Sequence, residues 1–591
     1  MSSRHLLDKA VVELRRNDQQ LEAVHENGHC VVLAGPGSGK TKTLTVAMAR
    51  ALLEDVQEPR GIACITYNNE CALELESRLA QLGVEPSEQV FIGTVHSFAV
   101  SQVIAPYARC VLPELNPGFR VATPTECRSA VRTAYEMTIA DGGDPLGRWK
   151  FAEAKRRRDV DREAAGWSQT NPELASFIEA YEEELRRRNL IDFDDMPLLA
   201  FRMIQANPWI GEALAARYPI LFVDEYQDLG HALHELVLKL CFEAGIRLFA
   251  VGDPDQSIYQ WTGANPQLLV GLTGRPGVRT IRLRFNYRCC TRIIEASMAA
   301  LGEERDYEAP KGTEEGEIHF RPVVGDLDAQ ADHVIQIVRE LIEDAIPLDE
   351  IAVLYRTANE GSRLATHAQE AGIPVVRSDN QALVRRNSRL SRLLENSARW
   401  VAGGWKNADP PFARLAREAS SLVFGPWAAD EERRLIAAEL AAFLHQSIGR
   451  DCSANLWLRD CKDRLIEPWK QRARTVTEEW DAIDEMIART DAGAQDCTVS
   501  LAQFGGIVEQ GGRLSLSTLH SAKGREFDDV ILFGMNTDVM PDWRDVKNPA
   551  ALREARRLFY VGVTRARRSV FLVFQKGHHS AWVKELYDRV H

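Results

Sequence analysis

A chain of 591 residues, 45% hydrophobic and 27% charged, is too long for a single core and reads as a globular protein of several domains. Its formal net charge of -13 excludes a molecule coated in basic surface, though not a local basic channel. Eleven cysteines with no CxxC pair exclude a disulfide framework and a zinc or iron–sulfur site. They fit reduced thiols in the cytoplasm, the expected location. The opening segment "MSSRHLLDKAVVELRR" lacks the apolar core of a signal peptide, and no apolar run is long enough to span a bilayer, so no membrane association is expected.

In chain order, the first chemistry-bearing element is "HCVVLAGPGSGKTKTLTVAMARAL". A β-branched run at Val31–Leu33, a run of small residues and a helical pattern read as strand, loop, helix. Ala34, Gly35, Pro36, Gly37, Ser38, Gly39, Lys40 and Thr41 fit P-loop spacing, with Ala34 in the place where the strict pattern has Gly. The glycines let backbone N–H groups turn inward onto phosphates, and the helix N-terminus adds its positive dipole end. Lys40 reaches the β- and γ-phosphates of ATP, and Thr41 ligates Mg²⁺.

Between residues 99 and 190 the chain reads helical and carries a basic run, Lys155 to Arg158. Two readings stand: an edge that contacts nucleic-acid phosphates, or a solvated helix face balanced by Asp159, Asp161 and Glu163. Next comes "YPILFVDEYQD", a strand over Ile220–Val223 that ends in Asp224 and Glu225. Carboxylates at the C-terminal end of a parallel strand sit where open α/β sheets bind ligands. With the P-loop present, Asp224 is expected to hold Mg²⁺ and Glu225 to act as general base on the attacking water. The segment "VGDPDQSIYQWTGA" then sets acidic and amide groups suited to a phosphate beside Tyr259 and Trp261. Polar neighbours on both sides of Trp261 argue for an exposed ring and against core packing.

These motifs resemble superfamily 1 DNA helicases of the UvrD/Rep/PcrA type. "NDQQLEAV", "ITYNNECALEL", "GTVHSF", "VDEYQD", "GDPDQSIYQWTGA", "NYR", "TLHSAKGREFD" and "RLFYVGVTRA" occur in that family's order. The resemblance implies an α/β fold: two RecA-like P-loop motor domains built on parallel sheets, with two mainly helical inserted subdomains. Motor domain 1A would take residues 1–98 and 191–278, and insertion 1B residues 99–190. Motor domain 2A would take residues 279–379 and 513–591, and a divergent insertion 2B residues 380–512. It further implies ATP between the motors, with Gln20 reading adenine, Tyr287 stacking on it, Glu526 at the ribose and Gln256 facing the γ-phosphate. Arg288 and Arg565 would act as arginine fingers. Single-stranded DNA would meet Tyr67, Thr94, His96, Phe193, Tyr259, Trp261, Arg356 and His520. Phe193, between Ile191 and Met196, fits a core position as well as a stacking one.

The implied activity is that of an ATP-dependent 3′–5′ translocase and helicase on single strands and single-strand/duplex junctions, as in DNA repair. Two departures stand out: Thr262 where the family has Arg, and Tyr67-Asn68-Asn69-Glu70 in place of "FTNK". Both remove or reverse charge beside the DNA path and motivate an alternative, a nucleotide-gated DNA-binding regulatory subunit. "DPDQS" and the adjacent Cys289 and Cys290 also resemble the compact helicases of the Gabija antiviral defence system, which work beside a separate nuclease partner.

Overall fold

Strands buried on both faces read as continuous apolar runs, and the runs marked above become inner strands of a parallel sheet. The computed structural model describes residues 3–67, 69–84, 89–116, 118–164, 166–385, 388–425, 428–450, 452–473, 478–494, 496–507 and 512–591. The strands of the first half are β1 (His29–Ala34), β2 (Ile62–Thr66), β3 (Val90–Thr94), β4 (Arg120–Val121), β5 (Leu190–Ile191), β6 (Ile220–Val223), β7 (Arg247–Gly252) and β8 (Val278–Leu283). Those of the second half are β9 (Glu317–Val323), β10 (Ile351–Tyr355), β11 (Val375–Arg377), β12 (Leu514–Thr518), β13 (Phe527–Leu532) and β14 (Ala566–Gln575). The described residues form two six-stranded sheets, in the orders β3-β2-β6-β7-β1-β8 and β11-β12-β10-β13-β14-β9. Every neighbouring pair in both is parallel.

The chain divides into two units: Met1–Gly316 with Pro541–Thr564 and Asp588–His591, and Glu317–Met540 with Arg565–Tyr587. In the first unit, alternate residues of each strand feed opposite faces of the sheet. Val31, Ala63, Ile65, Leu221, Val223 and Ala250 pack into one core. Cys30, Val32, Ile62, Cys64, Phe222 and Val251 pack into the other. A helical insertion leaves the sheet after β3 and returns through the short parallel pair β4–β5. Its helices Pro124–Thr138, Pro145–Arg158 and Pro172–Arg187 enclose a separate core around Tyr135, Trp167, Phe177 and Tyr181.

The second unit repeats the plan. Its parallel sheet buries Val353, Tyr355, Leu516 and Ile531. Helices from Arg389–Val401 to Ala482–Thr490 surround a core that includes Trp457 and Trp469. The mixed α/β character with parallel sheets and helical insertions agrees with the fold expected from the sequence.

Candidate functional site

All the turns that leave the C-terminal ends of the first sheet's strands fall on one edge, so strand order sets the order of chemistry along it. Across that edge lie Thr94 and His96 after β3, Tyr67 after β2, Asp224 and Glu225 after β6, Asp253 and Gln256 after β7, Gly35 to Lys40 after β1, and Asn286 to Arg288 after β8.

The loop after β1 forms a tight cradle. Gly37 and Gly39 have φ of +67° and +82°, a region that side chains disfavour. A Cβ on Gly37 would stand 2.3 Å from Asn286 Oδ1 and 2.6 Å from the Arg288 Cβ, and one on Gly39 would stand 2.4 Å from Gln20 Nε2. Pro36 and Ser38 are buried, and Ser38 Oγ donates to the Gly35 carbonyl at 2.7 Å. Lys40 opens the helix Lys40–Arg50, with Thr41 in its first turn. Gln20 Nε2 donates to the Ser38 carbonyl at 3.0 Å. Gln20 is carried by the helix Asp18–His25, whose N-cap, Asn17, accepts from the N–H groups of Gln19 and Gln20. The Asn17 amide also donates to the Tyr287 hydroxyl at 3.0 Å, and the Tyr287 N–H donates to the Gly37 carbonyl at 2.8 Å. Gln20, Tyr287 and Arg288 are thus brought to the loop. Asn286 shapes that turn by accepting from the N–H groups of Arg288 and Cys289 at 2.9 and 3.0 Å.

Facing the cradle is an acidic pair. Glu225 adopts a left-handed φ of +49°, a strained backbone for a residue with a side chain. Its carboxylate lies 3.7 Å from Lys40 Nζ. Burial and the neighbouring Glu225 push the Asp224 carboxyl up to about 7, against the pull of Lys40. Burial and Asp255 likewise push Asp253 up to about 6. Gln256 is buried and donates to Asp253 Oδ2 at 2.6 Å. Gln227 joins the two strand ends: its amide NH₂ donates to Glu225, and its carbonyl oxygen accepts from the Asp253 N–H at 2.8 Å. The carboxylates crowd one lysine, an arrangement suited to a further cation. Among the described residues no cluster of three or more His, Cys, Asp or Glu could hold a metal alone. Mg²⁺ at phosphate sites needs only one or two carboxylates plus substrate oxygens, so Asp224, which lies within the field of Lys40, fits it together with Thr41, the next residue of the helix.

The aromatic candidates gather on the β2–β3 side. Tyr67 stacks on Tyr259 with ring centres 5.3 Å apart, and its hydroxyl is 3.1 Å from Thr262 Oγ1. Trp261, on the turn Gln260–Thr262, is 70% exposed. Phe193 is 61% exposed, which decides between its two readings in favour of a surface ring. It stacks on His96 at 4.0 Å, and burial lowers the His96 imidazole to about 4. His96 is therefore a neutral ring at pH 7 rather than a cation. The Thr94 hydroxyl accepts from the Ser97 N–H and caps the turn that holds His96. Asn68 and the side chains of Asn69 and Glu70 lie outside the described residues.

The remaining candidates belong to the second unit. Arg356 follows β10 and His520 follows the neighbouring β12. Burial lowers His520 to about 4, with Arg356 adding to the effect. Glu526 is 3.4 Å from Arg567. Arg565 is buried, and its Nη1 donates to the Arg525 carbonyl at 3.2 Å.

The first half of the basic run departs from both of its sequence readings, whereas Arg158 is exposed and pairs with Asp159 at 2.8 Å, as the solvated-face reading expected. Lys155 and Arg156 are buried, because carboxylates from elsewhere in the chain meet them. Arg156 contacts Glu182, Asp192 and Asp195 at 2.8, 2.7 and 2.5 Å. Asn17, Gln227 and Asn286 were missed as site residues. Each carried a local signal: Asn17 is an N-cap type directly before a helical pattern, Gln227 lies within "VDEYQD" and Asn286 opens "NYR".

Residues 16–275 match the family model described as the UvrD/REP helicase N-terminal domain, and residues 481–577 match the UvrD-like helicase C-terminal domain. The chain is 26% identical over 632 residues to the ATP-dependent DNA helicase PcrA of Leuconostoc citreum, covering 97% of this chain and 83% of that protein. It is 28% identical over 636 residues to the ATP-dependent DNA helicase UvrD1 of Mycobacterium tuberculosis, covering 94% and 82%. Against the ATP-dependent DNA helicase Rep of Escherichia coli the identity is 26% over 625 residues, covering 94% and 90%. With the P-loop, the acidic pair and the exposed Trp261 on one sheet edge, these matches make the chain a member of the UvrD-type superfamily 1A helicase family.

Proposed function

We propose that this protein is an ATP-dependent DNA helicase that moves 3′ to 5′ along single-stranded DNA. The observation that carries the reading is the shared edge: the nucleotide cradle, the half-buried Tyr67 and the exposed Trp261 lie on turns of one parallel sheet. The named relatives support the ATP-dependent DNA helicase part of it.

The chemistry follows from the residues. The N–H groups of the Gly35–Gly39 loop and Lys40 bind the β- and γ-phosphates. Thr41 and Asp224 would hold Mg²⁺, which when bound neutralises charge on the phosphoryl oxygens. Glu225 accepts a proton from water as its oxygen attacks the γ-phosphorus and the bond to the ADP oxygen breaks. Gln256 orients that water. Arg288 and Arg565 stabilise charge on the transferring group. Gln20 and Tyr287 take the adenine, and Glu526 takes the ribose. Tyr67, Tyr259, Trp261 and Phe193 stack on successive bases, a grip that tolerates any sequence because every base has a π-face. Thr94, His96, Arg356 and His520 complete the single-strand path.

Strand displacement on duplexes with a 3′ or a 5′ tail tests the reading. Unwinding is expected from the 3′ tail alone; unwinding only from the 5′ tail would refute the polarity.

One observation favours a second reading, a nucleotide-gated DNA-binding subunit that unwinds little and serves a nuclease or other defence partner in the cytoplasm. Thr262 Oγ1 is held by the Tyr259 carbonyl at 2.7 Å and by Tyr67, so this position supplies no cation. ATP turnover indifferent to DNA would favour this second reading. Among the described residues no helix is long and apolar enough to cross a membrane.

A further inference from the structure

The buried end of the basic run lies directly beneath the proposed stacking surface. Asp192 and Asp195 bracket Phe193: the Asp195 N–H donates to Asp192 Oδ1 at 2.7 Å, and the Asp192 N–H donates to Asp195 Oδ2 at 3.2 Å. Both carboxylates also bind Arg156, and the Tyr181 hydroxyl donates to Asp192 Oδ2 at 2.7 Å. The Phe193 backbone is therefore fixed by a closed ring of charge-assisted hydrogen bonds.

Arg157, the next residue, reaches the other side of that surface. Its Nε donates to Asp194 Oδ2 at 2.9 Å and Oδ1 at 3.1 Å, and its Nη2 donates to Glu153 at 3.0 Å. Arg157 Cδ lies 3.7 Å from where a Cβ on Gly263 would stand. Gly263, with φ of +98°, ends the turn that carries Trp261. One side chain of the helical insertion thus binds the segment bearing Phe193 with its head and passes close to the turn bearing Trp261 with its stem.

We propose that Arg157 is a positioning residue that sets the spacing between the Phe193 and Trp261 rings, so that the inserted helix Pro145–Arg158 tunes the grip on single-stranded DNA. The inference rests on the reading that these two rings stack on bases. Half-exposed ion pairs contribute little to stability, so removal of the guanidinium is expected to alter geometry rather than folding.

The test measures DNA-stimulated ATP turnover and oligo-dT binding by the full chain carrying Arg157→Leu. The oligo-dT concentration for half-maximal stimulation is expected to rise about fivefold, a partial loss of stacking on two bases. Turnover at saturating DNA, turnover without DNA and the melting temperature should stay at the parent values. The salt dependence of binding should keep its slope. In a chain already carrying Phe193→Ala and Trp261→Ala, Arg157→Leu should add no further loss.

Three results overturn the proposal while leaving the ring assignment intact. The first is an unchanged half-saturation for Arg157→Leu where Phe193→Ala raises it. The second is a salt slope smaller by about 0.7, the mark of a direct phosphate contact to a single strand. The third is the full fivefold loss persisting in the ring-deleted background. If Phe193→Ala and Trp261→Ala leave half-saturation unchanged, the ring assignment itself falls and takes the proposal with it.

Discussion

Glu225 is the residue where local backbone cost and proposed chemistry coincide. A side-chain-bearing residue at φ +49° persists only when its surroundings hold it, and here Lys40, Gln227 and the end of β6 do so. Glu225→Gln keeps the shape and removes the base. Turnover is expected to fall by ~10²–10⁴-fold with nucleotide binding preserved, as checked by steady-state assay and a fluorescent nucleotide analogue. Retention of most of the turnover would assign the base elsewhere. His96 gives a prediction in pH. Its imidazole is ordinarily near 6.5 and is lowered to about 4 by burial, so the unfolded chain takes up the proton first. The stability it contributes is complete above pH 6.5 and is lost as pH falls through that value toward 4. Urea midpoints across this range should fall less steeply for His96→Gln than for the parent. The effect is partial, because burial lowers His234 and His520 to about 4 as well.

At the scale of elements, the C-terminal turns of β6 and β7 act as one piece because Gln227 bonds to both. Gln227→Leu leaves the Asp253 N–H buried without an acceptor, a cost of about 1–3 kcal/mol, and frees Glu225 from its amide partner. Urea denaturation should register the loss, and saturated turnover should drop with it; a variant as stable and as active as the parent would show that the bridge carries nothing. This bridge also marks how far the sequence could be read. The P-loop, the Asp224–Glu225 pair and the Tyr259–Trp261 segment were legible because each places its chemistry within a few contiguous residues after an apolar strand. Gln227 sits in a motif noted for its carboxylates, but its partner Asp253 is 26 residues away, a pairing only the sheet order reveals. Asn286 and the cradle it completes follow the adjacent strands β8 and β1, but every other strand of the first sheet lies between them in the chain. Lys155 and Arg156 misled because both sequence readings assumed solvent. Only the fold brings Glu182, Asp192 and Asp195 to Arg156, which makes burial of a guanidinium tolerable. The insertions read as helical from their patterning, and the described helices fill both.

For the molecule as a whole, a net charge of -13 means that DNA approaches a repelling body and must be held by short-range contacts. Stacking is largely insensitive to salt, whereas each neutralised phosphate of a single strand contributes about -0.7 to the slope of log affinity against log salt. Thr262 removes one such cation, and His96 and His520, both lowered to about 4, supply none at neutral pH. A slope no steeper than about -3 is expected from oligo-dT titrations in a salt series. A slope near -7, the value for about ten phosphates, would show an electrostatic channel instead. The strand order of the first sheet has one more consequence. Only β6 and β7 separate β1, which ends in the phosphate cradle, from β2, which leads to Tyr67. At about 4.8 Å between neighbouring strands that is roughly 14 Å, the length of an ordinary drug molecule. A compound with an anionic head on Lys40 and a flat ring slid against Tyr67 would lie over both subsites, so a single inhibitor could compete with the fuel and the track at once.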